Sequence, residues 1–250
     1  MNLENKVAIV TGGSRDIGRA ISVALAAAGA KVVVNYFRNP KQGEEPVAEI
    51  EQAGGTAIAV AGDMTVAADV ENLVAKTTEA FGEAIDILVN NVGGLVERRT
   101  IAEMDQDFLE YVMKLNMTSA FLATKAALPF MSAGSSIINI ASQAARDGGG
   151  PGATAYAASK GALVSYTRGM AKELGPSNIR VNCVCPGIID TTFHDTFTKD
   201  EVRQKLAAGT ALRREGTASE VADLVTYLAS DSASFMAGAS VDINGGIAFS

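Results

Sequence analysis

The 250-residue sequence contains one histidine, His194, and two cysteines, Cys183 and Cys185. So few imidazole and thiol donors leave a protein-built metal site short of ligands, and no metal is expected. The cysteines sit two apart in an apolar stretch, where strand geometry would turn both to one face and place them poorly to bond each other. They are expected to be reduced core residues of a cytoplasmic protein. No apolar run reaches the roughly 18–20 residues that span a bilayer. Met1–Lys6 leads straight into a strand-like run with no secretory pattern. An excess of positive charge is missing too: 21 Lys and Arg against 28 Asp and Glu give −7. Nucleic acid and anionic membrane surfaces are therefore not expected partners.

What is present is the balance of a packed globular chain, 48% hydrophobic and 20% charged. Short β-branched runs alternate with longer helical patterns. Strands are expected at 6–11, 31–36, 56–61, 85–90, 136–141, 179–184 and 240–243. Helices are expected at 18–28, within 44–53, around 66–81, as one long helix within 105–131, at 154–174 and at 219–229. Strands that are continuously apolar belong to a sheet covered on both faces, and repeated β-α-β order makes that sheet parallel. The expected fold is α/β, a doubly wound (Rossmann-type) parallel sheet of about seven strands with helices on both faces. No linker or internal repeat divides it, so residues 1–250 read as one dinucleotide-binding and catalytic domain. The irregular segment 187–216, with one short helix near 200–208, is long enough to be a substrate lid.

The first strand ends in Thr11-Gly12-Gly13-Ser14-Arg15-Asp16-Ile17-Gly18, and a helix follows. A glycine turn there lets backbone approach a pyrophosphate, and the helix N-terminus attracts its charge. The spacing is not G-x-G-x-x-G; it resembles the T-G-x-x-x-G-x-G turn of the short-chain dehydrogenase/reductase family. Further motifs follow in family order: Asp63 after the third strand, Asn90-Asn91-Val92-Gly93 after the fourth, Asn116 in the long helix, and Ser142 after the fifth. Tyr156-Ala157-Ala158-Ser159-Lys160 gives Y-x-x-x-K, and Pro186-Gly187 with Thr191 gives P-G-x-x-x-T. The chain as a whole resembles the 3-oxoacyl-[acyl-carrier-protein] reductase branch.

The resemblance implies an NAD(P)-dependent oxidoreductase acting on a ketone or secondary alcohol, with Asn116, Ser142, Tyr156 and Lys160 as catalytic residues. Their chemistry can be argued separately. Tyr156 and Lys160, four apart, share a helix face. A phenol near pKa 10 is a poor acid at neutrality, and a neighbouring ammonium favours phenolate. Ser142 can hydrogen-bond the substrate oxygen. Asn116, in the family, holds a helix irregularity and a water. Cofactor contacts are expected from Gly12, Ser14, Arg15, Asp16, Ile17, Gly18, Asn35, Tyr36, Arg38, Asp63, Met64, Asn90, Val92, Gly93, Tyr156, Lys160, Pro186, Gly187, Ile189 and Thr191.

Two departures bear on the cofactor. Asp16 replaces the family's middle glycine, where its carboxylate could accept from a ribose hydroxyl but would repel phosphate. Val92 replaces the family's alanine. The second strand ends Asn35-Tyr36-Phe37-Arg38 with no acid to hold a 2′-hydroxyl, and Arg15 with Arg38 could neutralise a 2′-phosphate. NADP is favoured over NAD.

The expected pocket walls, 93–96, 144–145, 150–153, Phe193 and Phe197, are largely apolar and suit a small-molecule ketone. An acidic carrier protein would need a basic landing surface, and 129–135 has no Lys or Arg. His194 is expected to be a solvated lid residue. A nucleotide-sugar epimerase usually carries a larger C-terminal substrate domain. A non-catalytic dinucleotide sensor on the same fold is the alternative, disfavoured by the intact Asn-Ser-Tyr-Lys set. Small residues on the long helices (Ala120, Ala123, Ala126, Ala127, Ala162, Val164) and the apolar tail 247–250 are expected to meet neighbouring subunits in a homotetramer.

Overall fold

The computed structural model describes residues 1–249; Ser250, the end of the apolar tail, lies outside the described residues. Seven strands, β1 (Val7–Val10), β2 (Lys31–Tyr36), β3 (Thr56–Ala61), β4 (Ile87–Asn90), β5 (Ser136–Ile140), β6 (Arg180–Pro186) and β7 (Ser240–Ile243), form one sheet in the order β3-β2-β1-β4-β5-β6-β7. Every neighbouring pair is parallel, with registers such as Val7 against Lys31 and Ile9 against Leu88. Alternation along each strand builds two cores. Ala8, Val10, Val32 and Val34 face α1 (Asp16–Ala27) and α10 (Ala218–Ala229), meeting Ile21, Leu25, Val221 and Val225. Ile9 and Val33 face the other side, where α3 (Ala67–Phe81), α5 (Ser119–Ala127) and α7 (Thr154–Leu174) supply Leu73, Ala123 and Met170. Each such fully buried aliphatic side chain contributes about 1.5–3 kcal/mol relative to exposure. Cys183 and Cys185 are buried free thiols on one face of β6, with Sγ atoms 3.9 Å apart.

Three helical expectations are corrected. The helix placed within 44–53 is α2 (Pro40–Gln52): Asn39 accepts from the Lys41 N–H, Pro40 occupies the first turn, and Pro46 is tolerated inside. The single long helix within 105–131 is α4 (Gln106–Met113), a π-turn at Lys114–Thr118, and α5. The segment after β6 carries two helices, α8 (Thr192–Phe197) and α9 (Asp200–Gly209), rather than one. A short helix, α6 (Ala144–Asp147), also follows β5. Among the described residues, no helix is long and apolar enough to cross a membrane.

The small residues expected at subunit contacts are also corrected in part. Ala120, Ala123, Ala127 and Val164 are buried within the protomer. The exposed apolar side chains of α4 and α5 are instead Leu109, Tyr111 and Phe121, joined elsewhere by Phe235 and Phe249.

Candidate active site

Adjacent β1 and β4 mark the point where strand order reverses, and the crevice at the carboxyl ends of their strands is where open α/β sheets hold ligands. The turn leaving β1 is shaped by glycine at two places. Gly12 has φ +59°, and a Cβ on Gly18 would lie 2.1 Å from the Gly12 carbonyl oxygen, so the first turn of α1 packs directly on the loop backbone. Asn91 fastens this turn from below: its Nδ2 donates to the carbonyls of Thr11 and Gly12 at 3.1 and 3.0 Å. Asn35 fastens it from the side. Its Oδ1 accepts from the Gly12 N–H at 2.9 Å, and its Nδ2 donates to Gly62 O at 3.1 Å. That amide is buried and spent on protein partners, so Asn35 acts on the site through Gly12.

The loop after β4 is built just as tightly. A Cβ on Gly93 would lie 2.4 Å from Asn116 Oδ1 and 2.8 Å from Lys160 Nζ. Asn116 is fully buried in the π-turn. Its Oδ1 accepts from the Gly94 N–H and its Nδ2 donates to Gly94 O, both at 2.9 Å, with Val112 O at 3.0 Å. The surplus residue of a π-turn widens the helix there and lets Asn116 reach a loop as well as its own helix. Asn90, at the end of β4, donates to Asn139 Oδ1 at 2.8 Å and to Thr124 Oγ1 at 3.1 Å.

Tyr156 and Lys160 project from the first turns of α7. Lys160 is buried and its Nζ donates to Ile140 O at 2.7 Å; burial lowers its pKa from 10.5 to about 8. Burial also pushes the Tyr156 phenol above its ordinary 10, an effect that the nearby Ser142 hydroxyl partly opposes. The expected lowering of the phenol by Lys160 is therefore absent from this arrangement. The ammonium is itself penalised by burial, lies 5.9 Å from the Tyr156 ring centre, and is directed to a carbonyl. Phe193 of α8 lies over Tyr156 with ring centres 5.9 Å apart, and Phe197 follows at 5.2 Å from Phe193. A family model described as "Enoyl-(Acyl carrier protein) reductase" matches residues 12–248.

The chain belongs to the short-chain dehydrogenase/reductase family. It is 38% identical to a 3-oxoacyl-[acyl-carrier-protein] reductase of Synechocystis over 248 residues, 98% of each chain. It superposes on a short-chain dehydrogenase/reductase of Serratia marcescens with TM-score 0.93 at 38% identity, covering 99% of both chains. A short chain dehydrogenase of Burkholderia cenocepacia, solved in complex with NADP, gives TM-score 0.92 at 34% identity, again over 99% of both chains. The protein is thus an oxidoreductase of this family.

The remaining candidate residues of the short-chain dehydrogenase/reductase crevice fall around the same groove. Ser14 is nearly buried in the glycine turn, and the Arg15 side chain is 67% exposed above it. Arg38 lies over the Phe37 ring at 4.3 Å, past the end of β2, where Tyr36 packs against Gly43. Asp63 Oδ1 accepts from the Thr65 N–H at 2.9 Å, and Met64 is buried beside it. Val92 sits against Gly12. After β6, a Cβ on Gly187 would meet Asn244 at 2.7 Å; Ile189 is buried, and Thr191 Oγ1 donates to Ile189 O at 3.1 Å. Asp16 has φ +50°, the left-handed conformation that suits the family's glycine, and its carboxylate turns to Thr192 of α8.

His194 departs from its solvated reading. It is partly buried, its Nδ1 lies 2.9 Å from Thr198 Oγ1, it meets Phe193 edge-on, and burial lowers its pKa. Three side chains gave no sequence signal. Thr192 is hidden behind Thr191 of the motif. Arg98 donates from Nε to Phe197 O at 3.0 Å and from Nη1 to Pro151 O at 2.9 Å, bridging two pocket walls. Arg203 of α9 joins Asp190, Asp195 and Glu215 around one guanidinium. Their partners lie 8 to 176 residues away in sequence, and no local pattern encodes such pairings.

Proposed function

We propose that this protein is an NADP-dependent reductase or dehydrogenase that interconverts a ketone and a secondary alcohol, with Tyr156 as general acid and base. The observation that carries this reading is Tyr156 beneath Phe193 with Ser142 beside its hydroxyl and Lys160 Nζ 5.9 Å from its ring centre, while Asn116 and Lys160 both lie against Gly93. The residues fit a dinucleotide because glycine at 18 and 93 packs the loops after β1 and β4 directly on their neighbours, which would let backbone approach a pyrophosphate at the start of α1. Gly12, Ser14, Ile17 and Gly18 would hold the pyrophosphate, and Asp63 and Met64 the adenine end. Asn90, Val92, Gly93, Pro186, Gly187, Ile189 and Thr191 would line the nicotinamide half. Arg15 and Arg38 would hold the 2′-phosphate. The missing acid after β2 and the NADP complex of the Burkholderia relative support NADP over NAD. When bound, the dinucleotide supplies or accepts a hydride.

The chain's own part is proton transfer and positioning. Ser142 holds the substrate oxygen. Tyr156 donates a proton to that oxygen in reduction and removes it in oxidation. Because burial holds the phenol above 10, Tyr156 is protonated at neutral pH, the form needed for reduction. Reduction should therefore stay level from pH 6 to 8, while oxidation should keep rising with pH across that range. Phe193 and Phe197, the latter held by Arg98, would cover the pocket mouth against water. A homotetramer is proposed as the working assembly, in which exposed Phe235 and Phe249 would be covered.

The test is nicotinamide absorbance with NADPH or NADH and a panel of ketones, repeated with Tyr156→Phe. That variant should lose roughly 10²–10⁴ of its turnover with little change in NADPH affinity. Retention of more than about a third of the wild-type rate, outside that expected loss, would remove Tyr156 from the proton step.

A further inference from the structure

Asp16 occupies a left-handed conformation (φ +50°) that disfavours any side chain, and both of its carboxylate oxygens are engaged by one residue 176 positions away. Oδ1 accepts from the Thr192 backbone N–H at 3.1 Å and Oδ2 from the Thr192 hydroxyl at 2.7 Å. Arg15 reinforces the contact: Nη1 donates to Thr192 Oγ1 at 3.2 Å, and Nε lies 3.7 Å from Asp16 Oδ2. Thr192 opens α8, and the next residue, Phe193, lies over Tyr156. A helix of six residues has almost no stability of its own, so its placement comes from its tethers. Those tethers are Asp16 at the first residue, Arg203 at Asp195, and Arg98 at the Phe197 carbonyl.

We propose that Asp16 is a positioning residue that latches the lid helix to the nucleotide turn, so that one contact governs both the seating of Phe193 over Tyr156 and the release of the dinucleotide. The second half rests on the dinucleotide reading given above; the first does not. The groove between the turn after β1 and the segment after β6 is crossed by the Asp16–Thr192 contact at its outer rim. A dinucleotide held beneath it leaves only when the contact opens. The carboxylate also occupies Arg15, a group that would otherwise face a 2′-phosphate unopposed.

The test compares wild type with Asp16→Gly, Thr192→Val and the double variant. Glycine is the better residue at φ +50°, so Asp16→Gly should fold at least as well as wild type. Hydrogen exchange on the cofactor-free protein should show amides 190–198 exchanging about five- to tenfold faster in each single variant, for the loss of two partly exposed hydrogen bonds. The double variant should show less than the product of the two single increases, because the hydroxyl–carboxylate bond is lost in both. Asp16→Asn, which keeps one acceptor oxygen, should lie between. Stopped-flow displacement of NADPH should show a comparable rise in off-rate, and the KM for the ketone should rise more than kcat changes. Unchanged exchange in 190–198 for Asp16→Gly, or strictly additive effects in the double variant, would overturn the latch. If wild type does not bind NADPH at all, the dinucleotide reading fails, and the exchange data still decide the latch.

Discussion

Replacing Lys160 with Met keeps the apolar stem of a buried side chain and removes its ammonium. The fall of its pKa from 10.5 to about 8 corresponds to roughly 3 kcal/mol that the folded protein carries whenever the amine is charged. Against this stands the 2.7 Å bond from Nζ to Ile140 O. A buried carbonyl left without that donor costs about 1–3 kcal/mol. At pH 7, Lys160→Met should therefore equal wild type in stability or exceed it by up to about 2 kcal/mol, while turnover falls by roughly 10² or more. The pH dependence has a definite sign. Between about 8 and 10.5 the unfolded chain holds a proton on Lys160 that the folded protein has released, so wild-type stability rises with pH across that window. The variant lacks this rise, and its advantage should shrink by roughly 3 kcal/mol toward pH 10.5. Urea unfolding followed by circular dichroism at pH 7, 8, 9 and 10, at fixed protomer concentration, measures the difference. A variant more than about 2 kcal/mol less stable at pH 7, or a difference that does not change with pH, would refute the reasoning.

Gly93→Ala would push a methyl to 2.4 Å from Asn116 Oδ1 and 2.8 Å from Lys160 Nζ. Thermal unfolding should report a loss of about 1–3 kcal/mol, and activity should fall more steeply than stability. A variant as active as wild type would mean that this crowding is relieved without moving either group. Arg15→Ala and Arg38→Ala should each weaken NADPH by about five- to tenfold more than NADH, the worth of one charge facing a partly solvated phosphate. Equal losses for the two cofactors, measured by titration, would take both arginines out of the 2′-phosphate site. Sedimentation at micromolar concentration should show about four times the 25.8 kDa protomer mass; monomer alone would count against the tetramer.

The seven-stranded parallel sheet was legible because its strands are short, mostly apolar and bounded by turn residues, in repeated β-α-β succession; the strand order, set by long-range pairing, was not. α7 matches its expected limits, Thr154–Leu174, although its buried face includes Ser159, Lys160 and Thr167. α2 was read four residues late. Asn39 and Pro40 carry the true start signal. α8 was missed for a different reason: its Thr and Phe residues are ordinary or poor helix formers, and its shape is imposed by Asp16, Arg98 and Arg203. At the site, motif spacing carried the groups themselves but not their environment. Nothing local in the sequence states that Lys160 will be buried deeply enough to lose two to three decades of basicity, or that Asn35 will be consumed by Gly12.

The π-turn at Lys114–Thr118 makes residue count, rather than residue type, a constraint on this chain. Each residue of an α-helix turns the chain by about 100°, so a single extra residue offsets everything after it by that angle. α4 turns Phe108 and Val112 inward, and α5 turns Ala120, Ala123 and Ala127 inward, on faces that agree because the π-turn takes up the surplus residue between them; counted as one regular α-helix, they would lie about a quarter-turn apart. Deleting any one residue from 114–118 would let the helix close into a regular spiral with the inward faces of α4 and α5 still aligned, removing the bulge and not the packing of α5. In this segment, then, a one-residue gap would be felt at the site and not at the sheet: it would remove the widened turn from which Asn116 clasps Gly94 while leaving α5 on its present face.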